Sequence, residues 1–310
     1  MKKYSLVLII ILFFISCKND KVKIVAKETD TTYEVFKTDD YELIKPNEKS
    51  NTVLVLFGGY PENIEDIKRE FKIIDIAKEN NIAVLFMNFN KKLWLEEGEK
   101  VKLTELLYNT ITKNTLQTDN IFIGGFSSGG VVSLLISDFI IEMNQYAIEP
   151  KGVFIIDSPI DLLGLYYASR KNIKKNFSEI SVEESTWIIK ALEEQFGKPE
   201  DSISEFEKYS VYTLKTHNIK NLVHLKNTKI RLYTEPDTIW WKQNRLTEYE
   251  NTNAYYIKSL SEDLKKEFGD SNIEYIPTLN RGYRSNGDRH PHSWSIVDEK
   301  DLMNWMLNEK

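Results

Sequence analysis

Within the stretch IFIGGFSSGG, residues 121–130, Gly125-Phe126-Ser127-Ser128-Gly129 has the spacing G-x-S-x-G. A serine flanked in this way can occupy a strained strand-to-helix turn with its hydroxyl exposed, because the small residues let neighbouring backbone pass close by. The residues before it, NIFIG, read as a buried strand, and those after it, VVSLLISDFIIEMNQ, as an apolar helix. That places Ser127 at the C-terminal edge of a sheet, where open α/β sheets hold their ligands. The blander alternative is a turn serine in a sheet that merely binds something.

A serine hydroxyl is a weak nucleophile near neutral pH. It needs a base to take its proton, an acid to orient that base, and N–H donors aimed at the developing oxyanion. The chain has four histidines, and two of them, His290 and His292, fall in GDRHPHSWSIVD after the last predicted strand. His292 is the preferred base. His290, just before Pro291, is the alternative and otherwise serves the loop or the substrate. The acid is expected after the penultimate strand, where IRLYTEPD offers Asp237 in the loop and Glu235 two residues earlier. Asp157, in FIIDSPIDL, is the fallback acid, with a hydrogen bond to its own turn as the preferred role. His217 and His224 lie in or near a helical segment and read as surface or packing residues. The H-x-H pair finds no histidine or cysteine cluster to complete a coordination sphere, so neither a metal nor another cofactor is expected.

These residues need a scaffold, and the rest of the chain supplies one. Apolar, β-branched runs alternate with amphipathic stretches, the pattern of mostly parallel strands buried under helices on both faces. TYEVFKTDDYELIKP reads as an opening antiparallel pair, NTVLVLFGGYPE as a buried strand, and IEDIKREFKIIDIAKENN as the helix after it. Strands IAVLFMNFN, NIFIG and GVFIIDSP follow, each with a helical partner. From about 161 to 227 the strand signal gives way to helical, charged and aromatic sequence such as ESTWIIKALEEQFG. Strands then resume with KIRLYTEPD and NIEYIPTL, and the chain closes on the helix DEKDLMNWMLNE. The break is a mainly helical insertion before the penultimate strand, placed over one end of the sheet.

Together these features resemble the α/β-hydrolase superfamily, from VLVLFGGY to the final helix. The order Ser127, Asp237, His292 is the serine-acid-histidine order of that superfamily. The resemblance implies Ser127 as nucleophile, His292 as general base and Asp237 as the residue that sets the imidazole's tautomer. It also implies the Ser128 N–H as half of the oxyanion hole. The other half falls to the loop after VLVLF, where Gly58, Gly59 and Tyr60 replace the His-Gly-Gly-Gly run of many esterases; Tyr60 is the preferred donor, then Gly59. The activity implied is that of a serine hydrolase, first a carboxylic ester hydrolase working through an acyl-enzyme. A serine peptidase or amidase is the alternative within chemistry, and a catalytically silent binding or interaction protein the alternative outside it.

The N-terminus, MKKYSLVLIIILFFISCKND, has a charged start, an apolar run and a small residue before Cys17, the only cysteine. It resembles a bacterial lipoprotein signal. The expectation is cleavage after residue 16, lipid on Cys17, a flexible tether over 17–31 and a hydrolase domain over 32–310. The protein is then anchored to a membrane of the bacterial envelope, outside the cytoplasm. A single cysteine excludes an intramolecular disulfide. A formal net charge of −6 provides no basic field for nucleic acid.

Substrate signals are fewer. Tyr166, Tyr167, Trp187 and Phe196 of the insertion suit either a lid over an apolar acyl pocket or the insertion's own core. Trp240, Trp241 and Arg245 follow the expected acid and are candidates to line the pocket. Arg281, Arg284 and Arg289 crowd the loop before the histidines; Arg284 and Arg289 are the candidates to pair with an anionic group on a small ester substrate.

Overall fold

The computed structural model describes residues 32–89, 92–117, 119–146 and 148–308. The signal segment, Cys17 and the tether lie outside the described residues. Among the described residues, no helix is long and apolar enough to cross a membrane.

Eight strands form one sheet: β1 (Tyr33–Lys37), β2 (Tyr41–Pro46), β3 (Thr52–Phe57), β4 (Ile82–Met87), β5 (Ile121–Phe126), β6 (Pro150–Ile156), β7 (Lys229–Thr234) and β8 (Ile273–Pro277). Their spatial order is β1-β2-β4-β3-β5-β6-β7-β8. β1 and β2 pair antiparallel, and β2 runs antiparallel to β4. All other neighbours are parallel. The central strands are apolar throughout because both of their faces are covered. Successive side chains of β3 divide between two cores: Val53, Val55 and Phe57 enter one, Leu54 and Leu56 the other.

The first core is closed by α3 (Glu97–Lys113), α4 (Ser128–Met143) and α9 (Asn253–Phe268), the second by α1 (Ile64–Glu70), α2 (Ile73–Glu79) and α10 (Glu299–Leu307). α4 lies behind β5 and is buried along nearly its whole length, which explains why its sequence is apolar all round. The stretch expected to form one helix after β3 is in fact two. Phe71 ends α1 in extended backbone, at φ −112° and ψ 106°. Its fully buried ring stacks on Trp294, with centroids 4.8 Å apart. The helix breaks where burying that ring is worth more than another helical turn.

Between β6 and β7 the chain forms α5 (Leu162–Lys175), α6 (Glu179–Phe196) and α7 (Ile203–Tyr209), then a 3-10 turn, with α8 (Thr238–Arg245) following β7. Leu162, Leu163, Tyr166, Ile188, Leu192, Phe196 and Phe206 make a third core, against which Leu93 and Trp94 pack from the loop after β4. Tyr166 and Phe196 therefore belong to the insertion's own core. Trp187, on the other face of α6, is 46% exposed.

Candidate active site

Ser127 joins β5 to α4 at φ 52° and ψ −125°, a conformation that non-glycine residues rarely hold and that costs on the order of 1–3 kcal/mol. Its neighbours hold it there. The Ser127 N–H donates to the Ile156 carbonyl at 2.9 Å, and its own carbonyl accepts from Gly130 N–H at 3.0 Å. The flanking glycines are required sterically: a Cβ on Gly125 would lie 2.4 Å from the Gly129 backbone, and one on Gly129 2.3 Å from the Phe57 carbonyl oxygen.

His292 faces the same cavity as Ser127. Its Nδ1 lies 2.6 Å from Asp157 Oδ2. A carboxylate only accepts, so Nδ1 carries the proton and Nε2 keeps its lone pair. Asp157 is 4% exposed and stands just past β6 with φ 44°. Its Oδ1 accepts from the Thr234 hydroxyl at 3.0 Å, and its carbonyl from Asn253 Nδ2 at 2.8 Å. The other face of the pairing is aromatic, with the Phe126 ring 4.4 Å from the imidazole.

The expected acid lies elsewhere. Asp237 caps α8 through Oδ1, accepting from Trp240 N–H at 2.9 Å, and its Oδ2 pairs with Arg289 at 2.7 Å. Glu235 is fully buried and is contacted by the same guanidinium. It also accepts from the Thr278 hydroxyl and from the N–H groups of Arg281 and Gly282. These two carboxylates hold the loop that carries the histidines. The fallback residue, Asp157, is the one that meets the imidazole.

His290 is likewise redirected. It is 8% exposed and wedged against Trp240 at 4.7 Å and Trp241 at 5.9 Å. Burial first, then the charges of His292, Arg284 and Arg245, push its pKa down to about 3. The neutral ring accepts the His292 N–H on Nδ1 at 3.2 Å, so it braces the next histidine from behind.

On the other side of Ser127, the Tyr60 N–H donates to Ser128 Oγ at 2.9 Å, which brings that amide beside the serine turn. Ser128 opens α4, where first-turn N–H groups lack helical partners. Gly59 N–H is already taken by Glu62 Oε2 at 2.8 Å. Both loop N–H groups are thus engaged by side chains, and only Tyr60's partner, the Ser128 hydroxyl, belongs to the serine turn itself.

The cavity has a volume of about 160 Å³; Tyr60, Leu93, Leu165, Trp187 and Ile188 line it beside Ser127 and His292. The Tyr60 and Trp187 rings stack at its edge, 5.6 Å apart and 9° from parallel. None of Trp240, Trp241, Arg245, Arg284 and Arg289 lines it. Arg289 is held by Glu235 and Asp237, and Arg245 lies over the Trp240 ring at 5.6 Å. Of the arginines in this loop, Arg281 and Arg289 answer acidic groups of the protein itself. Among the described residues, Asp138, Glu142 and His224 could place three ligand atoms near one another. Asp138 already holds the His224 backbone N–H at 2.8 Å and its ring nitrogen at 3.0 Å, a pairing complete without an ion.

At the level of sequence, no protein-family model and no curated protein matches the chain. Solved structures do match in shape. An S-formylglutathione hydrolase from Agrobacterium tumefaciens superposes with a TM-score of 0.54 at 12% identity, over 91% of this chain and 98% of that one. An esterase of the bacterial hormone-sensitive lipase family gives 0.53 at 14% identity, over 90% and 84%. The Francisella virulence factor BioJ gives 0.50 at 15%, over 91% and 86%.

The chain has the α/β-hydrolase fold.

Within this α/β-hydrolase fold, the sequence leaves unmarked several groups that shape the site: Thr234, Asn253 and Glu62. Each is an ordinary polar residue with no motif around it. Only the three-dimensional approach of β6, β7 and the loop after β3 singles them out.

Proposed function

We propose that the chain is a serine hydrolase acting on carboxylic esters of small molecules. The observation that carries this reading is the strained Ser127 turn facing one cavity with a His292 imidazole whose proton is held on Nδ1 by Asp157. The esterase and hydrolase descriptions of the structures sharing the fold are consistent with it. In the mechanism, His292 Nε2 takes the Ser127 proton as Oγ attacks the ester carbonyl. Asp157 keeps the imidazole in the productive tautomer and stabilises the imidazolium. The Ser128 amide donates to the oxyanion, and the Tyr60 amide does so on exchanging the Ser128 hydroxyl for it, each worth about 3 kcal/mol in such sites. The imidazolium then protonates the leaving alcohol, and water enters by the same route to release the acid from Ser127.

A fluorophosphonate probe tests this reading, and also the proposal that lipid on Cys17 holds the enzyme on a membrane. The full chain is expected to label once, in the membrane fraction. Ser127→Ala should abolish the label, and Cys17→Ala should move the labelled protein to the soluble fraction. An unlabelled folded protein would end the hydrolase reading; a membrane-bound Cys17→Ala protein would end the lipid one.

The cavity suits a small acyl group. A dry cavity of about 150 Å³ accepts a benzene ring, so a space of about this size takes a short chain or a single ring. Trp187 stands at its edge. Trp187→Ala is therefore expected to raise kcat/KM for eight-carbon p-nitrophenyl esters about tenfold relative to acetate. An unchanged chain-length profile would remove Trp187 as the boundary.

A further inference from the structure

Glu62 has no role in the mechanism above, yet its carboxylate joins the two loops that mechanism depends on. Oε2 accepts from Gly59 N–H at 2.8 Å, one residue before the Tyr60 amide. Both oxygens also lie within hydrogen-bonding distance of Trp294 Nε1, at 3.1 and 3.2 Å, two residues after His292. A short turn, Glu62 N–H to Gly59 carbonyl at 2.7 Å, fixes the carboxylate over its own loop. Trp294 is itself enclosed: it is 1% exposed, stacks on Phe71 and packs at a tilt against Phe126, which also meets the His292 ring. An unbroken series of contacts thus runs from the amide loop through Glu62 and Trp294 to the imidazole.

We propose that Glu62 is a positioning residue that locks the Tyr60 amide in register with His292. This rests on the hydrolase reading. Two donors, Gly59 N–H and Trp294 Nε1–H, converge on the carboxylate, which suits the ionised form. Burial, the largest cause, holds its pKa above the ordinary carboxylate value; these hydrogen bonds and His292 offset part of that rise, and Glu70, on α1, adds to it. Glu70 is turned outward to Ser285 and Arg69. With this loop held in place before substrate arrives, the Tyr60 amide has only to exchange the Ser128 hydroxyl for the oxyanion.

Glu62→Gln keeps the size and one acceptor but removes the charge and places an amide NH₂ against a donor. Its kcat is expected to fall about ten- to a hundredfold, with KM changed by less than about threefold. Trp294→Phe retains the ring stack and deletes only the N–H, so it should also lower kcat with KM little changed. It also serves as the second test if Glu62→Gln fails to fold. Wild-type kcat in either folded variant, or a loss carried by KM alone, would overturn the proposal. If the wild-type chain neither labels nor turns over ester, it is the hydrolase reading that fails instead.

Discussion

Asp157→Asn is expected to lower kcat on p-nitrophenyl acetate by about 10³- to 10⁴-fold with little change in KM, whereas Asp237→Asn should lower it less than about tenfold. Both aspartates stand just past adjacent parallel strands, and both precede His292 in the chain. They differ in what they touch. Asp157 Oδ2 is 2.6 Å from His292 Nδ1. Asparagine there no longer holds the proton on Nδ1, and a ring protonated on Nε2 cannot take a proton from Ser127. Asp237 Oδ2 instead meets Arg289 at 2.7 Å, and Glu235 shares that guanidinium. Losing one of two carboxylates loosens the loop and costs stability more than catalysis. A urea melt beside the kinetics separates the two effects. If the two variants lost kcat equally, Asp157 would not be the orienting acid.

Gly129→Ala is expected to destabilise the fold by about 3 kcal/mol and to depress kcat in whatever protein still folds. The added methyl would lie 2.3 Å from the Phe57 carbonyl oxygen and 2.5 Å from that of Gly58. Both obstacles are backbone, so they cannot rotate aside. Relief requires moving either α4 away from β3 or the Gly58–Tyr60 loop, and the second displaces the amide meant for the oxyanion. Gly98→Ala is the matched control. Among the described residues nothing lies within 4 Å of its added methyl, and Gly98 is in the first turn of α3. It should leave activity untouched and stability unchanged or up to about 1 kcal/mol higher. Equal urea midpoints for the two variants would show that the glycine packing at Ser127 is not tight.

Much of the scaffold is legible in the amino-acid sequence. Runs such as TVLVLF and IAVLFM are apolar at every position because helices cover both faces of their strands, and that condition is written locally. The Ser127 turn is local too, a strand, a bend and a helix within about twenty residues. The acid is not. Choosing between Asp157 and Asp237 depends on where the loop at 281–292 lies after the chain has folded, a separation of 135 residues in the case of Asp157 and His292. The deciding group is Arg289, which neutralises Glu235 and Asp237 and leaves Asp157 to the imidazole. Proximity to a strand end cannot reveal a competing cation. The arginines mislead for the same reason: their charge is visible in sequence, but not the carboxylates that use it. The split between α1 and α2 is hidden because Phe71 breaks the helix for Trp294, more than two hundred residues away.

The insertion between β6 and β7 buries Leu162, Leu163, Tyr166, Ile188, Leu192, Phe196 and Phe206 largely among themselves, apart from the two cores of the sheet. One face of it meets the cavity through Leu165, Trp187 and Ile188. Exposed substitutions on that face leave the sheet's cores untouched, and with them the groups at the ends of β5 and β6. The molecule is thereby split into a conservative half and an experimental half. On the hydrolase reading proposed above, substitutions in α6 would retune which acyl group is admitted while leaving the strained serine and its partners in place.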